Sequence, residues 1–333
     1  MGNDGRTPSV SGGPPEWEGR MPAMMRAVRF HDYGGPEVLV LEDVPKPEPG
    51  AGQVLIRIRA ASVNPIDWKL RAGLLNAMFP VQFPAIAGQD LAGTVDAVGE
   101  GVTDLKQGDA VFAMTASTQR GAYAEYVALD RAAVAVKPAS LDFVAAAAVP
   151  MGALTAWQGV VEAGGLKAGD QVFVHAAAGN VGGMAVQIAH ALGAHVTAGA
   201  AGDSRSLVSG YGADRFVDYG SERFEDTVQD MDIVFDTLAG DMQARSWAML
   251  KRGGILVSTL GIGDAQQAEA RGVRAAGFGC VPDGGQLARI AAMIDRGQIR
   301  PRIGAVLPLA EAAKAQSLNE SGAVKGKIVL IID

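Results

Sequence analysis

The stretch that decides the fold is QVFVHAAAGNVGGMAVQIAHALGAHVTAGA, residues 171–200. The run QVFVHA at its start and the run HVTAGA at its end are apolar and predict two strands. The residues between them, Val181–Ala194, predict a helix. Its apolar side chains recur at the spacing of one helical face, at Ala185, Ile188, Ala189 and Leu192. This strand–helix–strand order predicts a parallel, doubly wound sheet.

The segment AAAGNVGG joins the first strand to the helix. A pyrophosphate needs backbone N–H groups, close approach without Cβ atoms and the positive end of a helix dipole. The spaced glycine pattern has Ala176 at its first position and Gly179 and Gly182 at its last two. These two glycines meet this need. A tight turn without a ligand is the alternative reading. We expect the cofactor contacts to come from Ala178, Gly179, Asn180, Val181 and Gly182.

The end of the second strand bears on the choice of cofactor. An NAD site places an acidic residue there to bind the ribose 2′-OH. Here the chain reads VTAGAAGDSRS and is neutral through Gly202. Ser204 and Arg205 favour a 2′-phosphate, hence NADPH, although Asp203 argues the other way. A solvated Arg205 is the alternative.

Composition excludes several classes of protein. The 333 residues are 48% hydrophobic and 20% charged with a net charge of −7, which fits about two globular domains. The acidic balance argues against a nucleic-acid partner, and no apolar run is long enough to span a membrane. The single cysteine, Cys280, favours a reducing, cytoplasmic setting. Without a cluster of ligand residues, we expect no metal.

The chain divides by pattern into segments. Residues 1–23 are rich in Gly, Pro and Ser and predict a disordered tail. Residues 24–148 contain short alternating strands and indicate a β-rich domain, with AYAEYVAL (Ala122–Leu129) as one strand. Strands and helices alternate through residues 149–286. Residues 287–333 return to mixed character and end in the strand KIVLII.

Several motifs in order resemble the zinc-independent members of the medium-chain dehydrogenase/reductase superfamily, in the quinone oxidoreductase (zeta-crystallin-like) branch. The resemblance covers the chain from Met25 to its C-terminus. Besides the glycine turn, it is carried by NPIDWKLRAG, AGQDLAGTVDAVGEGVTDLKQGDAVF, GAYAEYV, VPMGALTAW, FDTLAG, LKRGGILVS and GKIVL.

The resemblance implies an α/β fold with a GroES-like β-rich catalytic domain and a doubly wound Rossmann domain. Residues 24–148 and 287–333 would form the former, and residues 149–286 the inserted NADP-binding domain. It also implies a homodimer. Zinc-dependent relatives carry a ligand cysteine near the position of Asn64 and a ligand histidine within residues 88–90, and both are absent here.

The resemblance also implies roles for single residues. Asn64 would lie beside the nicotinamide and substrate, and Thr155 would contact the cofactor. Arg205 stands where relatives bind the 2′-phosphate with lysine, and Tyr219 would line the adenosine pocket. Further cofactor contacts are expected at Leu260 and Gly261. Many quinone reductases have tyrosine where this chain has Lys69, and some members have arginine at the position of Gly322.

These residues predict NADPH-dependent hydride transfer to a small quinone or α,β-unsaturated carbonyl. Asn64 would hydrogen-bond the substrate oxygen or the nicotinamide ribose, and Lys69 would donate to the developing enolate or quinol oxygen. A surface role for Lys69 is the alternative. Asp67 either caps its helix or pairs with Lys69 or Arg71. Two other functions stay open, an enoyl-thioester reductase and an NADPH-binding redox sensor with little turnover.

Overall fold

The computed structural model describes residues 1, 23–119 and 121–333, so nearly all of the predicted tail lies outside the described residues. The described strands, β1 to β16 in chain order, are Met24–Phe30, Val40–Pro45, Gln53–Val63, Ala85–Ile86, Asp90–Val98, Ala110–Met114, Tyr126–Asp130, Val134–Val136, Gln171–Val174, His195–Ala200, Arg215–Asp218, Met231–Asp236, Leu250–Ser258, Arg274–Gly277, Ile303–Pro308 and Lys327–Ile331. The described α-helices, α1 to α10, are Pro65–Arg71, Phe143–Ala147, Pro150–Ala156, Asn180–Ala191, Arg205–Ser209, Phe224–Thr227, Gly240–Ser246, Ala265–Arg271, Gly284–Asp295 and Ala312–Glu320.

The predicted doubly wound sheet is present. Its six strands are ordered β11-β10-β9-β12-β13-β14, and every neighbouring pair is parallel. The chain runs outward from β9 to β11 and then returns to β12 on the other side of β9. The topological switch therefore lies between β9 and β12, which is where open α/β sheets bind ligands at the carboxyl ends of their strands.

The helix after β9 buries the face that its sequence predicts, with one exception. Ala185, Ile188 and Ala189 are fully buried against the sheet, whereas Leu192 is 37% exposed. The reason is that α4 ends at Ala191, and Leu192 is its C-cap with ψ near zero. The helical period therefore no longer sets the direction of the Leu192 side chain.

The β-rich part contains two further sheets. The larger has the order β15-β16-β3-β5-β6-β8, with β7 also paired to β3, and the smaller has the order β2-β1-β4. The C-terminal strand β16 is antiparallel to β3, with Ile328 opposite Val63. This pairing brings the end of the chain to the start of α1. We retain the predicted domain boundaries as a proposal.

The strand predicted over Ala122–Leu129 is only partly correct, because β7 begins at Tyr126. The preceding residues bridge the two sheets instead. Tyr123 accepts a hydrogen bond from Val28 N at 2.8 Å, and Ala124 forms an isolated bridge with Ala27. Residues 122–125 therefore tie β1 to the larger sheet, which a single alternating pattern cannot indicate.

The turn after β12 holds a strained residue. Ala239 has φ 57° and ψ −164°, a region that essentially only glycine occupies. The buried Asp236 carboxylate accepts from the backbone N–H groups of Leu238 (2.9 Å) and Ala239 (3.1 Å), and this holds the turn in place. The hydrogen bonds compensate for the strained backbone.

We predict that Ala239→Gly stabilises the protein by about 1 kcal/mol, because relief of the strain outweighs the added flexibility of the unfolded chain. The midpoint of urea unfolding measures the change. Ala244→Gly is the matched control on the exposed face of α7 and should destabilise the fold, since glycine is unfavourable inside a helix. A lower midpoint for Ala239→Gly would contradict the strain argument.

Candidate active site

The glycine turn leaves backbone N–H groups free at the start of a helix. Helix α4 is capped by Gly179 without a side-chain hydrogen bond, and the first helical bond runs from Gly183 N to Gly179 O at 2.8 Å. The N–H groups of the three residues between them thus have no helical acceptor. A Cβ on Gly182 would lie 2.4 Å from Ala176 O, so only glycine fits there. These features fit a bound pyrophosphate.

Two arginines that the sequence argument did not single out lie beside this turn. Arg300 and Arg302, which precede β15, line a small cleft together with Ala178, Gly179 and Asn180. Arg300 is held in place by Nη2 donating to Gly210 O at 2.9 Å and by its backbone N–H donating to Gln187 at 2.9 Å. The cleft therefore adds positive charge to the anion-binding end of α4. The basic run IRPRI was the available signal in the sequence.

A chain of buried hydrogen bonds stabilises the start of the glycine turn. The hydroxyl of Tyr219 accepts from Ala176 N at 3.2 Å and contacts His175 Nδ1 at 2.7 Å. His175 Nε2 contacts Ser246 Oγ at 2.7 Å, and that hydroxyl donates to Met242 O at 2.6 Å. Because the Ser246 proton is used, Nε2 must donate and Nδ1 must accept from Tyr219.

Burial lowers the pKa of His175 to about 4, so its imidazole is neutral at physiological pH. Burial likewise raises the pKa of Tyr219 above its usual range. Both groups thus keep the protons that the chain of hydrogen bonds requires. The structure places the Tyr219 hydroxyl under the glycine turn, and the contact of its ring with an adenosine stays a prediction.

The region predicted to bind the adenosine half of the cofactor contains one more cation than the sequence suggested. The Arg205 guanidinium stacks 4.6 Å from the centroid of Phe216. Asp203 accepts a hydrogen bond from Ser204 at 3.1 Å and pairs with Lys325 at 2.5 Å. Lys325, on the loop before β16, was missed by the sequence argument. It neutralises the one acidic residue that counted against NADPH there.

Asn64, which precedes α1, is a buried polar residue whose amide nitrogen and oxygen both have hydrogen-bond partners. Its Nδ2 donates to Asp90 Oδ2 at 2.9 Å, and its Oδ1 accepts from Lys327 Nζ at 2.6 Å. Lys327 also donates to Asp90 Oδ2 and to Val63 O, each at 3.2 Å. We call Asn64, Asp90 and Lys327 the buried triad. The sequence predicted only Asn64 of these three as a site residue.

The buried triad connects to the helix that carries Thr155. Asp90 Oδ1 accepts from Met151 N at 2.9 Å, and Thr155 Oγ1 donates to Met151 O at 2.6 Å. Cys280 lies beside Thr155, and burial raises the pKa of its thiol to about 12. The structure thus brings Asn64, Thr155 and Cys280 into one region, through Asp90.

The other predicted site residues have few contacts that indicate a role. Lys69 on α1 is half-buried, with Nζ 5.6 Å from the Trp68 ring centroid, and within the described chain it has no hydrogen-bond or ion-pair partner. Leu260 is 53% exposed after β13, and Gly261 accepts from Gln243 Nε2 at 2.9 Å. No described contact joins these residues to Asn64, so their roles stay predictions.

Asp67 caps α1, which decides between its two readings. Its Oδ2 accepts from Asn64 N at 2.8 Å and from the Tyr123 hydroxyl at 3.1 Å. Arg71 instead pairs with Glu320 and donates to Gln316. Among the described groups, Asp67 Oδ1 has no partner. Burial, aided by the nearby Asp90 charge, raises the pKa of Asp67 to about 7.

We predict that Asp67→Asn becomes more stable relative to the original chain as pH rises from 5 to 8. The folded state holds the Asp67 proton more tightly than the unfolded state, whose pKa is near 3.8. Between these two pKa values the unfolded chain releases the Asp67 proton while the folded chain keeps it. Rising pH therefore costs the original chain stability, by roughly 3 kcal/mol over the tested range.

Urea unfolding at several pH values measures this effect. Asp43→Asn, at an exposed position on β2, is the control for loss of a carboxylate and should show no comparable trend. A constant stability difference between Asp67→Asn and the original chain across the range would contradict the assignment.

Metal ligands are not grouped in the part of the chain that the structure describes, where no three His, Cys, Asp or Glu side chains are placed to hold an ion. At the position where zinc-dependent relatives carry a ligand histidine, the region 88–90 has Gln89. Its amide donates to Ser117 Oγ at 2.9 Å.

Comparison with known proteins gives the family. Residues 50–139 match the family model of the alcohol dehydrogenase GroES-like domain, and residues 211–330 match a model described as zinc-binding dehydrogenase. The chain is 35% identical to an NADPH-dependent alkenal/one oxidoreductase of Arabidopsis thaliana, over 93% of this chain and 80% of that protein. It is 33% identical to a quinone oxidoreductase of Homo sapiens, over 93% and 98%.

A solved structure agrees with these sequence relatives. The quinone oxidoreductase from Coxiella burnetii superposes with a TM-score of 0.84 at 32% identity, covering 93% of this chain and all of that one. The GroES-like β-rich part and the parallel Rossmann-type sheet are thereby confirmed. The chain belongs to the medium-chain dehydrogenase/reductase superfamily, in its quinone oxidoreductase branch.

Proposed function

We propose that this protein is a zinc-independent, NADPH-dependent oxidoreductase that transfers a hydride to a quinone or an α,β-unsaturated carbonyl. The observation that carries the proposal is the presence, in one chain, of a glycine turn with free helix N–H groups and of a buried triad that is hydrogen-bonded to the helix of Thr155. The names of the Arabidopsis thaliana and Homo sapiens relatives support the same two substrate classes.

NADPH would supply the hydride, and the residues of this chain supply binding and orientation. The open N–H groups of α4 would hold the pyrophosphate, with Arg302 near them. The Asn64 amide would donate a hydrogen bond to the acceptor oxygen or the nicotinamide ribose. Lys69 would donate to the oxygen that gains negative charge. Quinones and conjugated carbonyls are already electrophilic, so positioning accounts for most of the rate.

Zinc independence rests on the chemistry of the side chains present. Zinc-dependent relatives carry a ligand cysteine near the position of Asn64 and a ligand histidine within residues 88–90, and this chain has neither there but has the amides of Asn64 and Gln89. Amide side chains are poor substitutes for thiolate and imidazole as zinc ligands. In addition, both ends of the Asn64 amide are already used by Asp90 and Lys327. We therefore propose that activity survives chelation of metals.

The proposed preference for NADPH rests on Arg205. Arg205 and Lys325 both lie near the end of β10, where a 2′-phosphate would bind. Two carboxylates lie there as well, since Asp203 is paired with Lys325 and Asp218 lies close to Arg205. Because Lys325 is already paired with Asp203, we propose that Arg205 supplies the contact with the 2′-phosphate and favours NADPH over NADH.

Two alternatives have less support. An acyl-carrier arm needs basic residues at a groove mouth, but Arg71 is only 1% exposed and is bonded to Gln316 and Glu320. A sensor that acts through Cys280 would need a thiolate, and burial raises the pKa of that thiol to about 12. A sensor that only binds NADPH is distinguished from an enzyme by the turnover experiment below. Reduction of a small activated acceptor remains our proposal.

Some expectations about partners and location remain proposals. None of the described helices has the length and apolar character needed to cross a bilayer. We propose a cytoplasmic homodimer that acts on a small molecule and binds no nucleic acid, consistent with a net charge of −7.

Anaerobic oxidation of NADPH tests the proposal directly. Benzoquinone, a naphthoquinone, crotonaldehyde and a cyclic enone serve as acceptors, with simple alcohols plus NADP as the control. We expect turnover of at least one acceptor, unchanged by EDTA. NADPH binding without turnover of any acceptor would overturn the assignment.

We predict that Arg205→Ala weakens NADPH binding by about tenfold or more while leaving NADH binding nearly unchanged, because a charge-assisted contact with the 2′-phosphate is lost. Fluorescence titration gives both dissociation constants. Arg296→Ala, at an exposed position after α9, is the matched control for loss of an arginine. Equal losses for the two cofactors would remove Arg205 from the 2′-phosphate site.

A further inference from the structure

Lys327 is a buried cation whose hydrogen bonds are all accounted for. Its side chain is 4% exposed, and its ammonium has three acceptors, namely Val63 O, Asn64 Oδ1 and Asp90 Oδ2. An ammonium has three protons, so none is left for a ligand. Lys327 therefore does not itself reach a bound molecule.

The same contacts fix the orientation of the Asn64 amide. An ammonium can only donate, so the atom facing Lys327 at 2.6 Å must be the amide oxygen. An ionised carboxylate can only accept, so the atom facing Asp90 at 2.9 Å must be the amide nitrogen. Rotating the amide by half a turn would place the amide nitrogen against the Lys327 ammonium, donor against donor. It would also place the amide oxygen against the Asp90 carboxylate, acceptor against acceptor. The Asn64 backbone is also fixed, since its N–H donates to Asp67.

This arrangement leaves an N–H of the Asn64 amide available. Nδ2 has two protons, and one of them is given to Asp90. The Asn64 oxygen accepts the shortest bond in the buried triad, from Lys327, and an amide oxygen has a second lone pair. The second Nδ2 proton can be donated to an oxygen that accepts.

We propose that Lys327 is a positioning residue that, with Asp90, locks Asn64 so that its amide presents its second N–H to the acceptor oxygen. This rests on the proposed function. The oxygen of a quinone or conjugated carbonyl gains negative charge as the hydride arrives at carbon, and a fixed N–H stabilises that charge without reorganisation. Asn64 keeps its proton throughout, so it acts by hydrogen bonding alone.

A double-mutant cycle with Lys327→Met and Asn64→Ala tests the coupling. If Lys327 acts through Asn64, each single variant lowers kcat with crotonaldehyde or benzoquinone by about tenfold or more, and the double variant is no worse than Asn64→Ala. The NADPH dissociation constant should change little. Losses in kcat that multiply would overturn the proposal, as would a loss confined to NADPH binding.

Removing Lys327 alone leaves Asp90 buried without its counter-charge, which endangers folding. A variant with both Asp90→Asn and Lys327→Met removes the two charges together and keeps the polar shape. It should fold, and its kcat should still fall because the Asn64 amide is free to turn. Wild-type kcat in this folded variant would contradict the positioning role.

Asn64→Asp tests whether the Asn64 side chain acts as a hydrogen-bond donor or as an acceptor. This change keeps an oxygen for Lys327 but removes the N–H. We expect a loss of kcat similar to that of Asn64→Ala. If Asn64→Asp keeps most of the original kcat, the donor assignment is wrong.

A readout without turnover separates this proposal from the proposed function. The chain has five asparagines, so isotope-labelled asparagine gives few side-chain NMR signals, and loss of a signal in Asn64→Ala identifies Asn64. We expect slow hydrogen exchange at that amide, and faster exchange in the Asp90→Asn, Lys327→Met double variant. Unchanged exchange would overturn the locking by Lys327 even if turnover is found. Absence of turnover together with the expected exchange would overturn only the assigned reaction.

Discussion

The ion pair between Lys327 and Asp90 is the interaction on which the site depends. Burying two charges costs several kcal/mol per ion unless hydrogen bonds replace the lost water. Here Ser62, Asn64 and Met151 N supply those bonds to Asp90. The pair joins β16, β5 and the start of α3, which are far apart in the chain. It therefore ties the C-terminal strand and the Thr155 helix to the same point.

The glycine turn and the buried triad are built on different principles. At the turn, backbone N–H groups lack helical acceptors, and a Cβ on Gly182 would collide with Ala176 O. Next to the turn, the neutral His175 and Tyr219 complete a chain of hydrogen bonds in which each proton has a single acceptor. At the triad, charged and amide side chains form the hydrogen bonds.

The last part of the chain supplies cations to both the glycine turn and the buried triad. Arg300 and Arg302 line the cleft at the turn, Lys325 pairs with Asp203, and Lys327 completes the triad. Arg300 and Lys327 are 27 positions apart, and the four residues contact three different parts of the molecule. The reason is that β16 pairs with β3 beside α1, while the loop before it passes the carboxyl edge of the Rossmann-type sheet.

Local chemistry in the sequence determined the parallel sheet and the glycine turn, because periodicity and missing Cβ atoms act within a few residues. The residues after the second strand, together with resemblance to the family, predicted Arg205, and resemblance predicted Asn64. For Asp67 the sequence offered two roles, and the structure decided for the cap. Tertiary structure alone decided that Lys327 and Asp90 flank Asn64, that Lys325 neutralises Asp203, and that residues 122–125 bridge two sheets. A lysine opening an apolar strand has the same local pattern whether its ammonium meets water or a carboxylate. Only the pairing of β16 with β3, set by contacts across most of the chain, distinguishes the two.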